Sequence, residues 1–214
     1  PTGIWIVQMQ DLGQMVQATA FDNICSEHLF YYSTETFNRL LNGTNLALVQ
    51  VERRAINGGS LRYYVRRPRA RTVLWPDTER FTSRDKLDHF AWRVGEHKAQ
   101  LVGVLDHLRR QGLEIDLYAA STKSSTLLQY CGIDHQLIRC AVERTPEKVG
   151  LVTSGTRIPI VGEGVWRINP APVCMIGAWQ WRDQFDNRES AFLAKGGSFL
   201  LPLPSVEVVC GEQA

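Results

Sequence analysis

The sequence predicts an α/β protein whose sheet is mainly parallel and covered by helices on both faces. Beyond residue 113, short apolar runs alternate with helix-forming segments, and continuous apolar strands are typical of a parallel sheet buried on both sides. A composition of 44% hydrophobic and 21% charged residues over 214 positions is that of an ordinary globular chain with a substantial core.

Residues 1–68 form the first predicted segment, which opens with an apolar strand, IWIVQM, at residues 4–9. Nothing before this strand could pair with it or cover it, so we expect a chain that begins in the middle of a larger unit. Ser33 is a suitable N-cap for the helix that follows. The apolar face of that helix is predicted to hold Phe37, Leu40 and Leu41.

Two further strands, LALVQVERR and SLRYYVRR, are joined by a turn at Asn57-Gly58-Gly59. Residues 69–82 contain proline and arginine and are predicted to be a linker. The arginines in and before this stretch permit either an anion-binding patch or a solvated connection.

A long helix is predicted from Ser83 to Gly112, because apolar residues recur there at helical spacing and glycine ends the run. The predicted apolar positions are Leu87, Ala91, Val94, Leu101, Leu105 and Leu108. His89, His97 and His107 are interpreted as surface or boundary residues, since none has a second metal ligand at helical spacing. Beyond this helix, four strands are predicted, at LEIDLYAA, LIRCAVE, VCMIGAW and SFLLPLP. Two helices are predicted among them, a short one at TLLQYCG and a longer one over RDQFDNRESAFLAKGG.

Charge and cysteine content exclude several classes of function. A net charge of +2 gives no electrostatic case for nucleic acid as a partner. No apolar run reaches the length of a membrane span and the first residues do not resemble a secretory signal, so we expect a cytoplasmic protein without a membrane partner. The five cysteines are spread singly, which favours reduced thiols and predicts no metal site.

The stretch STKSST at residues 121–126 is the strongest generic ligand site. It is predicted as a loop between a buried strand and a helix, and ligands of open α/β sheets gather at the carboxyl ends of strands. Ser121, Lys123 and Thr126 offer hydroxyl groups and a cation that suit a phosphate. The stretch has no glycine, so it is neither a P-loop nor a dinucleotide fingerprint, and a capped helix start is the alternative.

A second polar segment, RTPEKVGLVTSGTRIPI, is predicted to be a long loop between strands, and such loops are often functional. Its candidate ligand residues are Arg144, Lys148, Thr153 and Thr156.

The segment FDNICSEHLFYY at residues 21–32 places an acid beside a base as Glu27-His28. Sequence neighbours point apart in a helix or a strand, so two separate roles in one cleft are more reasonable than a carboxylate that orients the imidazole. If the segment is helical, Tyr32 shares a face with His28, and Tyr31 shares one with Glu27. A structural histidine is the alternative.

Five separated blocks occur in the order FDNICSEHLFYYS, INGGSLRYYV, YAASTKSSTLLQYCGI, ERTPEKVGLVTSGTRIPI and GGSFLLPLP. Together they resemble the C-terminal half of the S-adenosylmethionine-dependent C-methyltransferases that act on nucleotide-linked deoxysugars, and the resemblance covers nearly all of residues 1–210. It implies a complete Rossmann-like C-terminal domain at residues 83–214. It also implies a partial class I methyltransferase subdomain at residues 1–68, limited to the last strands of that domain.

The reaction that this resemblance implies removes a proton beside a 4-keto group and then transfers a methyl group to the enolate. The same comparison makes His28 the expected base, with Glu27 assisting it or contacting the sugar. The expected substrate-binding residues are Tyr31, Tyr32, Asn57, Ser121, Lys123, Thr126, Arg144, Lys148, Thr153 and Thr156. The family's zinc domain and its S-adenosylmethionine-binding strand and loop have no match, so we expect the chain alone to bind no S-adenosylmethionine and to be inactive.

The chain departs from the family pattern at three positions. Ser26 stands where many relatives carry histidine, and Ala119 and Ser124 stand where relatives carry glycine, which restricts the backbone at the expected phosphate site. The alternative function is a non-catalytic module that binds a nucleotide sugar or builds an assembly by pairing its exposed first strand with a second copy. The expected partners are a nucleotide-diphosphate sugar and either a second copy or a missing N-terminal half.

Overall fold

The computed structural model describes residues 3–54, 56, 59–67 and 83–211. The chain divides into two compact units, which comprise residues 1–20 with 26–92 and residues 21–25 with 93–214. The predicted linker at residues 69–82 and the turn residues Asn57 and Gly58 lie outside the described residues.

The first unit contains an antiparallel sheet of three strands, β1 (Trp5–Gln10), β2 (Ala47–Arg54) and β3 (Ser60–Arg66), in the order β1-β3-β2. Helices α1 (Leu12–Gln17) and α2 (Thr34–Leu40) belong to the same unit. The three strands predicted for this part of the chain are confirmed, because β2 and β3 pair as an antiparallel hairpin and β1 pairs with β3.

Helix α2 begins at the predicted residue because its cap is satisfied on both sides. The Ser33 hydroxyl accepts a hydrogen bond from the Thr36 backbone N at 3.2 Å, and the Thr36 hydroxyl accepts one from the Ser33 backbone N at 2.8 Å. Phe37 and Leu41 are buried as predicted. Leu40 is 55% exposed, so its predicted place on the apolar face is wrong; the buried face runs from Phe37 to Leu41, one helical turn apart.

The long predicted helix is α3 (Arg84–Arg110). Leu87 and Ala91 are exposed and Leu108 is only partly buried, so the predicted apolar face is wrong at these three positions, and the buried stripe starts at Phe90. His89 and His107 are exposed, whereas His97 is buried and its Nε2 donates a hydrogen bond to the Pro202 carbonyl. The surface or boundary interpretation is therefore wrong for His97, and burial lowers the pKa of its imidazole. The buried stripe consists of Phe90, Val94, His97, Leu101 and Leu105.

The second unit contains a six-stranded sheet in the order β6-β5-β4-β7-β8-β9. The pairs among its first five members are parallel, and only β9 pairs antiparallel, with β8. The strands are β4 (Ile115–Tyr118), β5 (Ala141–Glu143), β6 (Ile160–Gly162), β7 (Val173–Ile176), β8 (Ser198–Leu201) and β9 (Glu207–Cys210). The α/β class with a mainly parallel, Rossmann-like sheet is confirmed.

Four shorter helices of this unit are α4 (Thr122–Cys131), α5 (Glu163–Trp166), α6 (Arg182–Arg188) and α7 (Ser190–Ala194). Two predictions need correction here. STKSST is not a loop, because α4 starts at Thr122. The single helix predicted over RDQFDNRESAFLAKGG is interrupted at Glu189, whose side chain is buried and hydrogen-bonded to Arg167.

The order of the strands reverses between β4 and β7. From β4 the chain moves outward through β5 to β6, and from β7 it moves the other way through β8 to β9. The connections that follow β4 and β7 therefore diverge. Open α/β sheets bind ligands outside the carboxyl ends of the strands where the order reverses in this way.

Candidate functional site

The first part of the FDNICSEHLFYY segment, residues 21–25, belongs to the second unit. Asp22 is buried there, accepts a hydrogen bond from the Trp179 indole Nε1 at 2.8 Å, and lies 4.0 Å from Lys123 Nζ. Burial raises the pKa of Asp22 and lowers the pKa of Lys123, while each charge opposes the shift of the other. Lys123, a predicted phosphate ligand, thus extends toward a buried carboxylate.

Glu27 and His28 lie in the first unit, on an exposed and irregular part of the chain. After a 3-10 turn at Phe21–Asn23, residues 24–32 are not helical, so the condition under which Tyr32 would share a face with His28 is not met. The ring that meets the His28 imidazole is that of Tyr31, edge-on, with 6.4 Å between centroids. The Ser26 hydroxyl donates a hydrogen bond to Glu27 Oε2 at 3.2 Å.

Tyr32 fastens the end of this segment to the first unit. Its carbonyl accepts a hydrogen bond from the Leu12 backbone N at 3.0 Å. Its ring meets Phe37 edge-on at 6.4 Å and stacks on Phe30 at 6.3 Å. Within the first unit, Tyr32 therefore fixes the end of the segment that carries Glu27-His28.

The hydroxyl groups of STKSST form the contacts of a capped helix start. The Ser121 hydroxyl accepts a hydrogen bond from the Ser124 backbone N at 3.2 Å. The Ser124 hydroxyl donates to the Ala119 carbonyl at 2.6 Å, and the Thr126 hydroxyl donates to the Thr122 carbonyl at 3.1 Å. A ligand that used these groups would have to replace partners within α4 and the turn before it.

The turn between β4 and α4 is tightly packed against the end of β7. Ala119 has a φ of +78°, a left-handed conformation that glycine adopts more easily than alanine. The Gly177 backbone N donates to the Tyr118 carbonyl at 2.9 Å. A Cβ atom at Gly177 would lie 2.2 Å from the Ser124 hydroxyl oxygen, so the Ser124 side chain, which extends from α4, fills the space beside Gly177.

Glu143, the last residue of β5, organises the turn that follows it. Its Oε1 accepts hydrogen bonds from the backbone N atoms of Arg144 at 2.8 Å and Thr145 at 3.1 Å. Its Oε2 accepts one from Lys148 Nζ at 3.2 Å, and Lys148 Nζ also donates to the Ala120 carbonyl at 2.9 Å. Burial opposes ionisation of Glu143, but these hydrogen bonds outweigh it and lower the pKa of the carboxyl group.

Thr153 and Thr156 lie inside the long loop. Both are buried, and their hydroxyl oxygens are 2.6 Å apart. The Thr153 hydroxyl also accepts a hydrogen bond from the Ile158 backbone N at 2.9 Å. The two threonines therefore hold the loop in its shape.

A cavity of about 310 Å³ opens at the carboxyl ends of β4 and β5. Arg144 lines it and is the predicted ligand residue that faces this space; its side chain is 67% exposed. The cavity wall opposite these strand ends was not predicted, because it is formed by a helix-forming stretch without a recognisable motif, which contributes Trp181, Gln184, Phe185 and Arg188. The lining combines aromatic, amide and basic side chains, among them Tyr118, Arg144, Trp181, Gln184, Phe185 and Arg188.

Two glutamates hold arginine side chains around this cavity. Glu189, 3% exposed, accepts from Arg167 Nε at 2.9 Å and Nη2 at 2.5 Å. Glu163 accepts from Arg167 at 3.2 Å and from Arg188 at 3.1 Å. The Tyr118 hydroxyl lies 2.8 Å from each glutamate and donates to one of them at a time. Burial and the two carboxylates together raise the pKa of Tyr118.

Across residues 3–54, 56, 59–67 and 83–211, no group of three or more His, Cys, Asp and Glu side chains could hold a metal ion. None of the helices in this described part of the chain combines the length and apolar character needed to cross a bilayer.

Comparison with known proteins supports the resemblance seen in the sequence. C-methyltransferase NovU of Streptomyces niveus is 27% identical over 221 residues, which cover 99% of this chain and 53% of that protein. The chain thus spans about half the length of this curated relative. A family model described as C-methyltransferase C-terminal domain matches residues 55–204, more than half of the chain. The chain belongs to the C-methyltransferase C-terminal domain family.

Proposed function

We propose that this chain is the substrate-handling portion of a C-methyltransferase that acts on a nucleotide-linked 4-keto deoxysugar. The proposed reaction removes the proton from the carbon beside the ketone and places a methyl group on the resulting enolate carbon. The observation that carries the proposal is an exposed acid–base pair, Glu27-His28, in a chain of the C-methyltransferase family.

The base in this proposal is His28. Imidazole is the side chain that proteins most often use to move protons near neutral pH, and an exposed ring can reach a substrate. Glu27 either assists the transfer or contacts the sugar hydroxyl groups. The ring of Tyr31 meets the imidazole edge-on and supports its orientation. Tyr32 and Asn57 complete the proposed contacts from the first unit.

The second unit is proposed to hold the nucleotide diphosphate. Arg144 is the best placed of the predicted residues, because its guanidinium group is exposed and lines the cavity. The remaining proposed contacts must exchange their present partners in order to bind; they are Ser121, Lys123, Thr126, Lys148, Thr153 and Thr156.

S-adenosylmethionine is the proposed methyl donor of the intact enzyme, but the described residues do not fit it. The described strands of the first unit are all antiparallel, without a strand that leads into a glycine-rich loop and a helix. In the second unit the corresponding turn carries Ala119, and Ser124 fills the space beside Gly177. We therefore expect no methyl transfer by this chain alone; its proposed work is to bind the sugar nucleotide and move the proton.

We also propose the domain assignment that the resemblance implies. Residues 1–68 would be the last strands of a class I methyltransferase domain, and residues 83–214 the complete C-terminal domain. Two features support this proposal. Strands β1 to β3 all fall before residue 68, and the six-stranded sheet is formed entirely by residues after 83.

A second candidate function is a non-catalytic nucleotide-sugar-binding module that dimerises through β1. The observation that favours it is that β1 is an edge strand of its described sheet and carries three half-exposed apolar residues at and beside it, namely Ile4, Trp5 and Ile6. Pairing with a second copy would cover them. A mass of one chain in sedimentation at high concentration would exclude this dimer.

A methyl-transfer assay with labelled S-adenosylmethionine tests the first proposal. The chain is mixed with a separately supplied N-terminal half of a full-length relative and a thymidine diphosphate 4-keto sugar. We expect labelled sugar only when both halves are present, and a loss of about 100-fold or more for His28→Ala. His107→Ala, another exposed histidine, is the matched control. Unchanged transfer by His28→Ala would exclude the base, and no transfer by the wild-type mixture would count against the function.

A further inference from the structure

We infer that the cavity at the ends of β4 and β5 is a nucleoside-diphosphate subsite, in which the base stacks on Trp181 and the diphosphate binds Arg144 and Arg188. The choice of a nucleotide as the ligand rests on the proposed function. The assignment of the cavity as a binding site rests on its own position, lining and charge.

The position is that of a ligand site in this class of sheet. Tyr118 ends β4, Glu143 ends β5, and both line the cavity, so it lies outside the carboxyl edge next to the reversal of strand order. The volume of about 310 Å³ lies at the lower end of the range for small-molecule pockets. Such a space suits a nucleoside better than a whole nucleotide sugar, and the sugar would then project out of the cavity.

The aromatic wall suits a planar base. Trp181 is 38% exposed where it lines the cavity, although tryptophan is usually more deeply buried. Bases stack favourably on such rings and with little preference for sequence. The exposed Gln184 beside it offers an amide donor and an acceptor, which match the hydrogen-bonding edge of a base.

The charges around the cavity favour an anion. Arg144, Arg167 and Arg188 face two carboxylates, Glu163 and Glu189, so this network has one positive charge in excess. Arg167 donates two hydrogen bonds to the buried Glu189 and is not available to a ligand. Arg144 lies 3.8 Å from Glu163 with a side chain that is 67% exposed, so it can turn to a phosphate at little cost. Arg188 lies 5.5 Å above the Phe185 ring, which holds its guanidinium at the wall.

Glu143 is placed to accept a hydrogen bond from a ribose hydroxyl group. Doubly wound folds often use an acidic residue after the first βα unit to accept a hydrogen bond from a ribose hydroxyl. Glu143 ends the second strand of this sheet along the chain and lines the cavity. Its Oε1 already accepts hydrogen bonds from two backbone N atoms of the turn that follows. Its Oε2 accepts one from Lys148 and can accept another.

Calorimetry on this chain with three probes tests the subsite: thymidine diphosphate, thymidine and inorganic pyrophosphate. We expect thymidine diphosphate to bind at least 10-fold more tightly than either fragment. Trp181→Ala should weaken that binding by 10-fold or more, and Trp181→Phe by no more than about 3-fold. Arg144→Gln should weaken thymidine diphosphate and leave thymidine unchanged. The matched controls are Trp92→Ala and Arg110→Ala, both exposed outside the cavity.

Other outcomes separate this inference from the proposed function. If Lys123→Met abolishes thymidine diphosphate binding and Trp181→Ala does not, the ligand sits at the start of α4 and the subsite is wrong. If the reconstituted enzyme transfers methyl groups and Trp181→Ala leaves the KM for the sugar nucleotide unchanged, the function stands and the subsite is wrong. If thymidine diphosphate binds as described but no sugar is methylated, the subsite stands and the function is wrong.

Discussion

Asp22 and Trp179 are joined by a hydrogen bond of 2.8 Å although 157 positions separate them in the sequence. The bond ties residues 21–25 to the turn after β7, and Lys123 at the start of α4 lies 4.0 Å from the same carboxylate oxygen. The segment that leads into Glu27-His28 is therefore anchored by a buried polar cluster of the second unit.

Asp22→Asn should destabilise the protein by about 1–3 kcal/mol, because it removes the charge of Asp22 from beside the largely buried Lys123. The double variant Asp22→Asn with Lys123→Met should lose less than the sum of the two single losses, since it removes both charges. Urea unfolding of the four proteins measures this coupling. Lys195→Met, an exposed lysine of the same unit, is the control and should have almost no effect. Additive losses would show that the two side chains do not interact.

Lys123→Met should also change how stability depends on pH. Burial raises the pKa of Asp22 and Lys123 opposes this shift, so removing the lysine raises the pKa further. The folded protein then holds the Asp22 proton more tightly than the unfolded chain. The free energy of unfolding must therefore fall as pH rises from the unfolded pKa, near 3.8, through the folded one.

The slope due to this one group is at most about 1.4 kcal/mol per pH unit. Urea unfolding of Lys123→Met and wild type at a series of pH values from acid to neutral measures it. We expect the difference in stability between the two proteins to grow as pH rises. A constant difference would mean that Asp22 does not titrate in this range, and adding Asp22→Asn should remove the growth.

The fold was predictable where local pattern decides the structure. The Ser33 cap, the hairpin of β2 and β3, and the long α3 all follow from residues close together in the sequence. The prediction failed where a distant group decides. His97 lies on an apolar face because the Pro202 carbonyl, 105 positions away, satisfies its ring. Periodicity alone does not reveal such a partner.

The candidate site was predicted only in part for the same reason. Glu189 interrupts a helix-forming stretch because Tyr118 and Arg167, 71 and 22 positions away, bind its carboxylate. This pairing places Arg188 and Trp181 beside the cavity, and no sequence motif marks either residue. The available indication that this stretch lines a site was in its composition, because one face of RDQFDNRESAF has few apolar residues.

Ala119→Gly should stabilise the protein by about 0.5–1 kcal/mol. The alanine has a φ of +78°, where an L side chain costs about 1–2 kcal/mol and glycine does not. Part of this gain is offset by the greater freedom of glycine in the unfolded chain. Denaturant midpoints measure the effect. Ala120→Gly in the same turn is the control and should destabilise, and a loss of stability in Ala119→Gly would show that the strain is absent.

Gly177→Ala should destabilise the protein by about 1–3 kcal/mol through overpacking at the end of β7. The new Cβ would lie 2.2 Å from the hydroxyl oxygen and 3.0 Å from the Cβ of Ser124, and 3.1 Å from a methyl group of Leu117. Ser124→Gly removes the two closest of these atoms. The loss caused by Gly177→Ala should therefore be smaller in the Ser124→Gly background than in wild type, as unfolding of the four proteins would measure. An equal loss in both backgrounds would mean that Ser124 does not fill the space beside Gly177, and the phosphate site at the start of α4 would then have room for a ligand.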